Sequence, residues 1–414
     1  MQKQLLIIAF VWPEPNSTAA GNRMLQLIHF FLEQTYKITV ACTAAESDLS
    51  FDLDSIDVKK AAIQLNHSSF DDFITGLNPE IVLFDRFLTE EQFGWRIAEF
   101  VPNALRILDT EDLHSLRHTR HQAFKESKPF STEIWLQNDM TKREVASIYR
   151  CDLSLIISTY EMQLLTEVIK MDKDLLLHLP FMLDKIDKNK SEKWPSFEAR
   201  KDFICIGNGK HAPNVDAIIW LKNEIWPLIR LELPEANLHI YGAYLPEHLQ
   251  QMHAPNEGFY VHGWAESVKE VMGRARINLA PLRFGAGIKG KLTDAMLYGT
   301  PSITTAIGAE GMQADLAWNG EIANTAEAFA HGAIKLYQNK KNWQQAQQNG
   351  IRIINTLYDK SILKNVLLSK MGSIAQNLQQ HRTRNFIGAM LIHHTLNSTK
   401  YMARWIEEKN RGKV

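Results

Sequence analysis

The stretch APLRFGAGIKGKLTDAMLYGTP, residues 280–301, decides the fold. It starts at the end of a short apolar run and passes through a glycine loop (residues 281–289). A predicted helix then begins near Ile288, and Gly-Thr-Pro precedes the next apolar run. Strand, loop, helix and strand in this order are the repeating unit of a parallel β-sheet. Ligands of such sheets bind beyond the carboxyl ends of the strands, so the loops that follow strands are where a site is expected.

The same rhythm runs through the whole chain of 414 residues. Short apolar strands are predicted at residues 5–10, 37–42, 81–84, 106–108 and 153–157, and again at 203–206, 237–241, 259–261, 277–280 and 302–304. A polar, charge-rich segment at residues 185–202 interrupts them. The prediction is an α/β protein with two doubly wound, Rossmann-like domains that face each other across a cleft.

The predicted boundaries follow from these segments. Residues 1–190 form an N-terminal domain, 191–202 a linker, and 203–375 a C-terminal domain. Residues 376–414 form a helical segment, for which packing back on the N-terminal domain is one arrangement.

Composition excludes several classes of protein. The 46 basic residues are balanced by 47 acidic ones without a polybasic run, so bulk charge does not favour binding to nucleic acid or to an anionic membrane. The three cysteines, Cys42, Cys151 and Cys205, are far apart in sequence, which suggests neither a disulfide framework nor a zinc ribbon and fits a reducing cytoplasm. No apolar stretch approaches the ~20 residues of a membrane span. We expect a cytoplasmic protein whose contact with a membrane is at most peripheral.

The glycine loop carries the strongest chemical signal. Gly285 and Gly287 let the backbone approach a ligand closely, and the helix starting near Ile288 aims free N–H groups at the same spot. Lys289 and Lys291 lie in its first turn, where they oppose the helix dipole unless an anion is bound. This pattern predicts a diphosphate site; the alternative is a plain turn with solvated lysines.

Three further features of the C-terminal half belong to the same prediction. Asp294 follows on the predicted helix, where its carboxylate could accept hydrogen bonds from ribose hydroxyls. Glu310 lies on a loop of small residues after the strand at 302–304 and could bind sugar hydroxyls, or stay an exposed loop residue. The loop at residues 205–214 is again rich in glycine, and its candidate binding residues are Gly207, Asn208, Gly209 and Asn214. A βα turn without function is the alternative there.

In the N-terminal half, DTEDLHSLRHTR at residues 109–120 concentrates charge after a strand. Arg117 and Arg120 could pair with Asp109 or Asp112, or bind an anionic acceptor. His114 could shuttle a proton or only hydrogen-bond a hydroxyl. A solvated helix face would explain the same residues without a function.

Two other loops of the N-terminal half face the same choice. Asp85 and Arg86 end another strand. Small residues around Gly21 leave room for a ligand in the loop that joins the first strand to the first helix. We predict that Gly21, Asp85 and Arg86 lie on the acceptor side of the site; loops without a binding role are the alternative.

Taken in order, these loops resemble glycosyltransferase family 4, the retaining group 1 transferases of GT-B fold. The residues that carry the resemblance are Phe203-Ile-Cys-Ile-Gly207 with Pro213-Asn214, Leu238-His-Ile-Tyr-Gly242, Gly263, the series from Pro281 to Pro301, Arg143-Glu144, Asp152, and Ser158 to Glu161. The last four residues also predict a capping box on a βα turn.

The resemblance implies roles for single residues. Gly285, Gly287 and Lys289 would hold the donor diphosphate, and Asp294 would contact the ribose where the family usually has a glutamate. The family's other glutamate falls at Ala286, a departure for which Glu310 could compensate. The resemblance also implies that residues 1–190 form the acceptor-binding domain and residues 203–375 the domain that binds the nucleotide-sugar donor. By the same resemblance, His114 would be the histidine on the acceptor side, Gly263 would belong to the donor site, and Lys291 would lie near the diphosphate.

The function predicted is retaining transfer of a sugar from a nucleoside diphosphate donor to a carbohydrate, lipid-linked or other acceptor, within glycan biosynthesis. No cofactor and no metal are expected, because the Asp-x-Asp strings at 52–54 and 172–174 do not follow convincing strands. Lys289 and the helix start would take the metal's place. Two alternatives stay open: a nucleotide-sugar epimerase of the same fold, and a degenerate protein that binds the sugar nucleotide without turnover.

Overall fold

The computed structural model describes residues 3–411, with the side chains of residues 395–397 excepted. The outermost ends of the predicted domains, residues 1–2 and 412–414, lie outside this range. Within it, two parallel sheets follow each other along the chain. We call the parts built around them the N-terminal half and the C-terminal half.

The first sheet has seven strands in the described range, all parallel, in the order β3-β2-β1-β4-β5-β6-β7. The strands are β1 Gln4–Ala9, β2 Lys37–Cys42, β3 Lys59–Ala62, β4 Ile81–Asp85, β5 Leu105–Asp109, β6 Leu153–Ile156 and β7 Leu176–His178. β1 and β4 are almost fully buried apolar runs, as expected of central strands covered by helices on both faces.

The second sheet has six parallel strands within residues 3–411, in the order β10-β9-β8-β11-β12-β13. They are β8 Lys201–Ile206, β9 Leu238–Tyr241, β10 Phe259–Gly263, β11 Ala275–Ala280, β12 Ser302–Thr304 and β13 Gly320–Ile322. In both sheets the strand order reverses beside the first strand, which opens a crevice at the carboxyl edge. The predicted fold class, two doubly wound sheets, is confirmed.

Helices cover both faces of each sheet. In the N-terminal half they are α1 Ala19–Glu33, α2 Ser69–Leu77, α3 Arg86–Phe100, α4 His114–Lys125, α5 Thr132–Gln137, α6 Asp139–Arg150, α7 Thr159–Gln163 and, in the connection, α8 Lys188–Ser191. The C-terminal half has α9 Ala212–Trp220, α10 Trp226–Glu232, α11 Glu247–Gln250, α12 Val268–Arg274, α13 Gly290–Leu297, α14 Ala306–Ala309, α15 Ala326–Gln338 and α16 Lys340–Leu357. The chain ends in α17 Lys360–Gln376, α18 Leu378–Arg384 and α19 Phe386–Arg411.

The last three helices return to the N-terminal half. Leu367, Met371 and Ile374 of α17 are buried in the same apolar cluster as β1 and α1, and α19 contacts α3 and α6. A separate cluster joins the two halves, since it contains Phe181 before the connection and Ile288 in the glycine loop. None of the helices described for residues 3–411 is long and apolar enough to cross a membrane.

The capping box predicted at residues 158–161 does not form the expected hydrogen bonds. Ser158 is the N-cap of α7, but its side chain makes no capping hydrogen bond. Glu161, the other member of the expected capping box, instead accepts hydrogen bonds from Leu113 and Gly287. Distant partners have replaced the local ones, because Glu161 is fully buried between the two halves.

Candidate active site

A cleft of about 640 Å³ lies between the carboxyl edges of the two sheets. The predicted site residues that line its C-terminal wall are Gly207, Asn208, Asn214, Gly285, Gly287, Ile288, Lys289, Lys291 and Asp294. Those that line its N-terminal wall are Arg86, Asp112, His114 and Arg117. Residues that are far apart in sequence therefore meet in one crevice.

The glycine loop runs directly into α13, which begins at Gly290 with Lys289 as its N-cap, two residues later than predicted. Lys289 makes no side-chain capping bond, so the first N–H groups of α13 keep their capacity to bind an anion. Gly287 has φ +63°, a left-handed conformation, and a Cβ there would lie 2.7 Å from Cβ of Asp112. Both facts require glycine.

Lys289 is 8% exposed, and its Nζ donates a hydrogen bond to the carbonyl oxygen of Gly287 at 2.7 Å. Burial lowers the pKa of its ammonium to about 8, against the raising effect of Glu310. A buried lysine held by one backbone carbonyl differs from the solvated lysine of the alternative interpretation. Such a group gains strongly from a bound anion.

Lys291 and Asp294 lie further along α13. Nζ of Lys291 donates to Oδ1 of Asn214 at 2.7 Å, which joins α13 to the first turn of α9. Asp294 is half-buried in the wall of the cleft, and burial raises the pKa of its carboxyl to about 7. A carboxyl in this setting gains from hydrogen-bond donors such as hydroxyl groups.

The loop after β8 is tightly built. A Cβ on Gly207 would lie 2.7 Å from both Cγ of Asn214 and Nζ of Lys291, so only glycine fits beside them. Asn208 is buried and donates to the carbonyl oxygen of Ser17 in the N-terminal half at 3.3 Å. Gly209 does not line the cleft; a Cβ there would meet the carbonyl oxygen of Tyr244 at 2.3 Å, which gives this glycine a packing role.

On the N-terminal wall, Arg117 holds Asp112 through two hydrogen bonds of 2.8 and 3.2 Å. Burial raises the pKa of Asp112, but Arg117 outweighs it and brings the pKa to about 2. Nε2 of His114 lies 3.4 Å from Oδ1 of Asp112, and burial lowers the histidine's pKa to about 3. His114 is therefore neutral near pH 7, and it can donate a hydrogen bond to a hydroxyl or accept one from it. Arg117 balances the negative charge of Asp112 beside it.

Arg120 does not pair with Asp109 or Asp112, so that expectation was wrong. Its guanidinium binds Glu310 of the C-terminal half through two bonds of 2.7 and 2.8 Å, and it also donates to the carbonyl oxygen of Gly285 at 2.8 Å. Glu310 does not line the cleft, because this ion pair occupies its carboxylate. The pair ties the two halves together beside the glycine loop.

Two predicted carboxylates lie beneath the cleft. Asp109 is fully buried and accepts hydrogen bonds from Nε and Nη2 of Arg23 at 2.9 and 2.8 Å. Asp85 is buried, accepts the backbone N–H of Phe10 at 3.0 Å and lies 3.4 Å from Nε of Arg86. Neither lines the cleft, so both stabilise the loops that do.

Two predicted glycines also lie off the cleft wall. A Cβ on Gly21 would meet the backbone of Glu14 at 2.4 Å, so this glycine allows α1 to pack against the preceding loop. Gly263 has φ +81° at the end of β10 and open space around its Cα, so its conformation alone favours glycine.

Sequence patterns missed backbone strain on the N-terminal wall and the surroundings of Ala286 on the C-terminal wall. Arg86 and Glu111 follow adjacent strands, both line the cleft, and both have left-handed backbones with φ of +72° and +61°. Such strain in residues other than glycine is concentrated at functional sites. Ala286, the departure noted above, packs into the apolar cluster that contains Leu113 and Leu116. A carboxylate at this position would be buried against that cluster.

Comparison with known proteins agrees with this architecture. Residues 200–339 match the family model described as glycosyl transferases group 1, which places the glycine loop and the loop after β8 inside the match. The resemblance to group 1 transferases drawn from the sequence is thereby confirmed for the C-terminal half.

Individual relatives are distant. A Klebsiella pneumoniae protein described as an uncharacterized 44.6 kDa protein in the cps region is 24% identical over 225 residues, which are 53% of this chain and 55% of that protein. This chain thus matches about half the length of that relative.

Solved structures are similar over nearly the whole chain. Sucrose-phosphate synthase from Thermosynechococcus elongatus has a TM-score of 0.67 at 14% identity, covering 91% of this chain and 99% of that one. HepE from Anabaena, solved with UDP and glucose, has a TM-score of 0.67 at 10% identity, covering 89% and 99%. WaaG, a glycosyltransferase of lipopolysaccharide biosynthesis, has a TM-score of 0.61 at 12% identity, covering 87% and 97%. At these identities the likeness shows the fold, and the fold is GT-B.

Proposed function

We propose that this protein is a retaining glycosyltransferase that moves a sugar from a nucleoside diphosphate donor to a hydroxyl of an acceptor. The observation that carries the proposal is the buried Lys289 beside the glycine loop, at the open end of α13 and in the wall of the interdomain cleft. The ammonium of Lys289 and the N–H groups at the start of α13 are close together in the chain, and a diphosphate would draw on both.

Binding of the donor would change the partners of these groups. A diphosphate oxygen would replace the carbonyl oxygen of Gly287 as the partner of Lys289, and Asp294 would accept hydrogen bonds from the ribose. The solved complexes of HepE with UDP and with UDP-glucose support a nucleoside diphosphate as the ligand class and make UDP the first probe. No cofactor enters the proposal, since the helix start and Lys289 supply the positive charge that a metal ion would otherwise provide.

The reaction would proceed on one face of the sugar. The acceptor oxygen forms a bond to the anomeric carbon while the bond to the diphosphate oxygen breaks, and the bonding pair leaves with the diphosphate. The acceptor's proton passes to that departing oxygen. Because attack and departure occur on the same face of the sugar, the anomeric configuration is kept. Lys289 and the N–H groups of α13 stabilise the charge that develops there, and neutral His114 orients a hydroxyl from the opposite wall.

The cellular setting is part of the same proposal. Cys42, Cys151 and Cys205 are free and buried, in keeping with the reducing cytoplasm predicted from the sequence. The acceptor is proposed only as a hydroxyl-bearing carbohydrate or lipid-linked compound.

The test is replacement of Lys289 by alanine. Loss of a charge-assisted contact to the leaving group is expected to lower kcat by about 10²–10³-fold, the range observed when a transition-state donor is removed. Release of nucleoside diphosphate is measured with a panel of nucleotide sugars and acceptors. Lys335→Ala, which removes an exposed lysine paired with Glu321 outside the cleft, is the control and is expected to leave turnover unchanged.

Each outcome has a meaning. Unchanged turnover in Lys289→Ala contradicts the assigned role. Conversion of the donor in the absence of any acceptor favours an epimerase, and donor binding without turnover on any acceptor favours a degenerate binding protein.

A further inference from the structure

Residues 157–161, which form the β6–α7 turn and the start of α7, touch the glycine loop from the opposite half of the molecule. A Cβ added to Gly287 would lie 3.4 Å from Cγ2 of Ile157. One added to Gly311, in the loop after α14, would lie 2.3 Å from Oγ of Ser158. Two loops of the C-terminal half therefore dock closely on this one turn of the N-terminal half.

Glu161 lies at the centre of the contact and is 0% exposed. Its Oε1 accepts the backbone N–H of Leu113 in its own half and the backbone N–H of Gly287 in the glycine loop, both at 2.9 Å. The carbonyl oxygen of Gly287 meanwhile accepts the hydrogen bond from Lys289. One residue of the glycine loop is thus tied at its N–H to the N-terminal half and at its C=O to the lysine proposed to bind the diphosphate.

We propose that Glu161 is a positioning residue that fixes the glycine loop for the donor diphosphate when the two halves are together. This inference rests on the proposed function of the loop. Glu161 does not line the cleft, so it acts through the peptide of Gly287 and not by touching the donor. Separation of the halves breaks the bond, which couples the conformation of the donor site to closure of the cleft.

The buried carboxyl of Glu161 depends on its hydrogen bonds to Leu113 and Gly287. Its Oε2 is buried without a hydrogen-bond partner, so the two N–H groups on Oε1 are the hydrogen bonds that offset the burial of the carboxyl. Burial, helped by the charge of Asp112, raises its pKa to about 8, although the N–H of Leu113 and the charge of Lys289 act in the opposite direction. Removing the acceptor leaves the N–H of Gly287 without its partner in the closed molecule.

The test compares Glu161→Ala and Glu161→Gln with Glu144→Ala. Glu144 is a matched control: it is 1% exposed and accepts the backbone N–H groups of His114 and Ser115, all within the N-terminal half. Hydrogen exchange measured by mass spectrometry follows the peptide containing Gly287, and calorimetry follows the affinity for UDP. Neither readout is moved by a general loss of stability confined to the N-terminal half.

The expected results differ between the variants. Glu161→Ala is expected to speed hydrogen exchange in the glycine loop and to weaken UDP binding about tenfold. This factor lies within the range that follows from the ~1–3 kcal/mol cost of leaving one buried polar group without a hydrogen-bond partner. Glu161→Gln keeps an acceptor oxygen and is expected to restore both readouts. Glu144→Ala is expected to change exchange around residues 114–115 and to leave the glycine loop unaffected.

The proposal would be overturned if Glu161→Ala showed the same hydrogen exchange in the glycine loop and the same UDP affinity as the wild type. It would also be overturned if the glycine loop exchanged equally fast in Glu161→Ala and in Glu144→Ala. If Glu161→Ala does not fold, Glu161→Met is used instead, with the same expected results. Methionine keeps most of the side-chain volume of Glu161 but removes the oxygen that accepts the hydrogen bonds. Absence of UDP binding by the wild-type protein would count against the proposed function instead, while exchange in the glycine loop would still report whether Glu161 holds Gly287.

Discussion

Gly287→Ala is the substitution that tests the closed arrangement of the cleft most sharply. Gly287 has φ +63°, and its added Cβ would lie 2.7 Å from Cβ of Asp112 in the opposite half. Carbon atoms pack at about 3.5–4.0 Å, so the two halves must separate locally by about 1 Å or the loop must move. Either change disturbs the peptide that Lys289 and Glu161 hold.

The magnitude has two parts. The left-handed backbone costs an alanine about 1–2 kcal/mol, which converts to roughly 5–30-fold when the binding-competent loop bears the strain. The clash adds a displacement of about 1 Å at the reacting groups, and misplacement of that size can lower turnover by about 10²-fold. Gly287→Ala is therefore expected to lose roughly 5–30-fold in UDP affinity and about 10²-fold in kcat/KM.

Gly263→Ala separates strain from clash. Gly263 has φ +81°, a similarly left-handed backbone, but nothing lies within 4 Å of its added Cβ. Both variants are expected to lower Tm through backbone strain, and Gly287→Ala by more because of its added clash. Only Gly287→Ala is expected to lose UDP affinity, measured by calorimetry, and turnover. Equal losses of affinity in the two variants would refute the contact between Gly287 and Asp112 as the cause.

Two further predictions concern charge. Burial lowers the pKa of Lys289 to about 8, and an anion favours the ammonium form of this lysine. UDP affinity is therefore expected to fall as pH rises above about 8, approaching a tenfold loss per pH unit. Calorimetry from pH 6.5 to 9.5 checks this, and an affinity of the wild type that does not change with pH would contradict it. Glu310→Ala removes the carboxylate that pairs with Arg120, whose side chain is 5% exposed. We therefore expect the cleft to open, with a larger radius of gyration in X-ray scattering and a KM for the donor raised about tenfold. Glu321→Ala, which breaks an exposed pair with Lys335, is its control, and an unchanged radius with unchanged KM in Glu310→Ala would argue against an interdomain role.

The sequence predicted every interior strand of both sheets but only one of their four edge strands, β10. The strands it missed, β3, β7 and β13, are all edge strands, and two of them have only three residues. β3 reads Lys-Lys-Ala-Ala and is mostly exposed, so no apolar run marks it. Central strands such as β4 are buried on both faces and carry the continuous apolar signal on which the prediction relied.

The site was predictable to the extent that it is local. Gly285, Gly287 and Lys289 are close in sequence, and the start of a helix after a strand fixes where they point. The ion pair between Arg120 and Glu310 joins residues 190 positions apart and depends on how the two halves meet, which no local pattern encodes. The same applies to Glu161, whose spacing from Ser158 predicted a capping box.

The central claim is that the glycine loop and the start of α13 bind a diphosphate. A crystal structure of the protein with UDP tests it most directly. The account predicts diphosphate oxygens within about 2.7–3.2 Å of Nζ of Lys289 and of backbone N–H groups at the start of α13, with the bond from Lys289 to Gly287 broken. Diphosphate bound elsewhere, while Lys289 still donates to the carbonyl oxygen of Gly287, would contradict it.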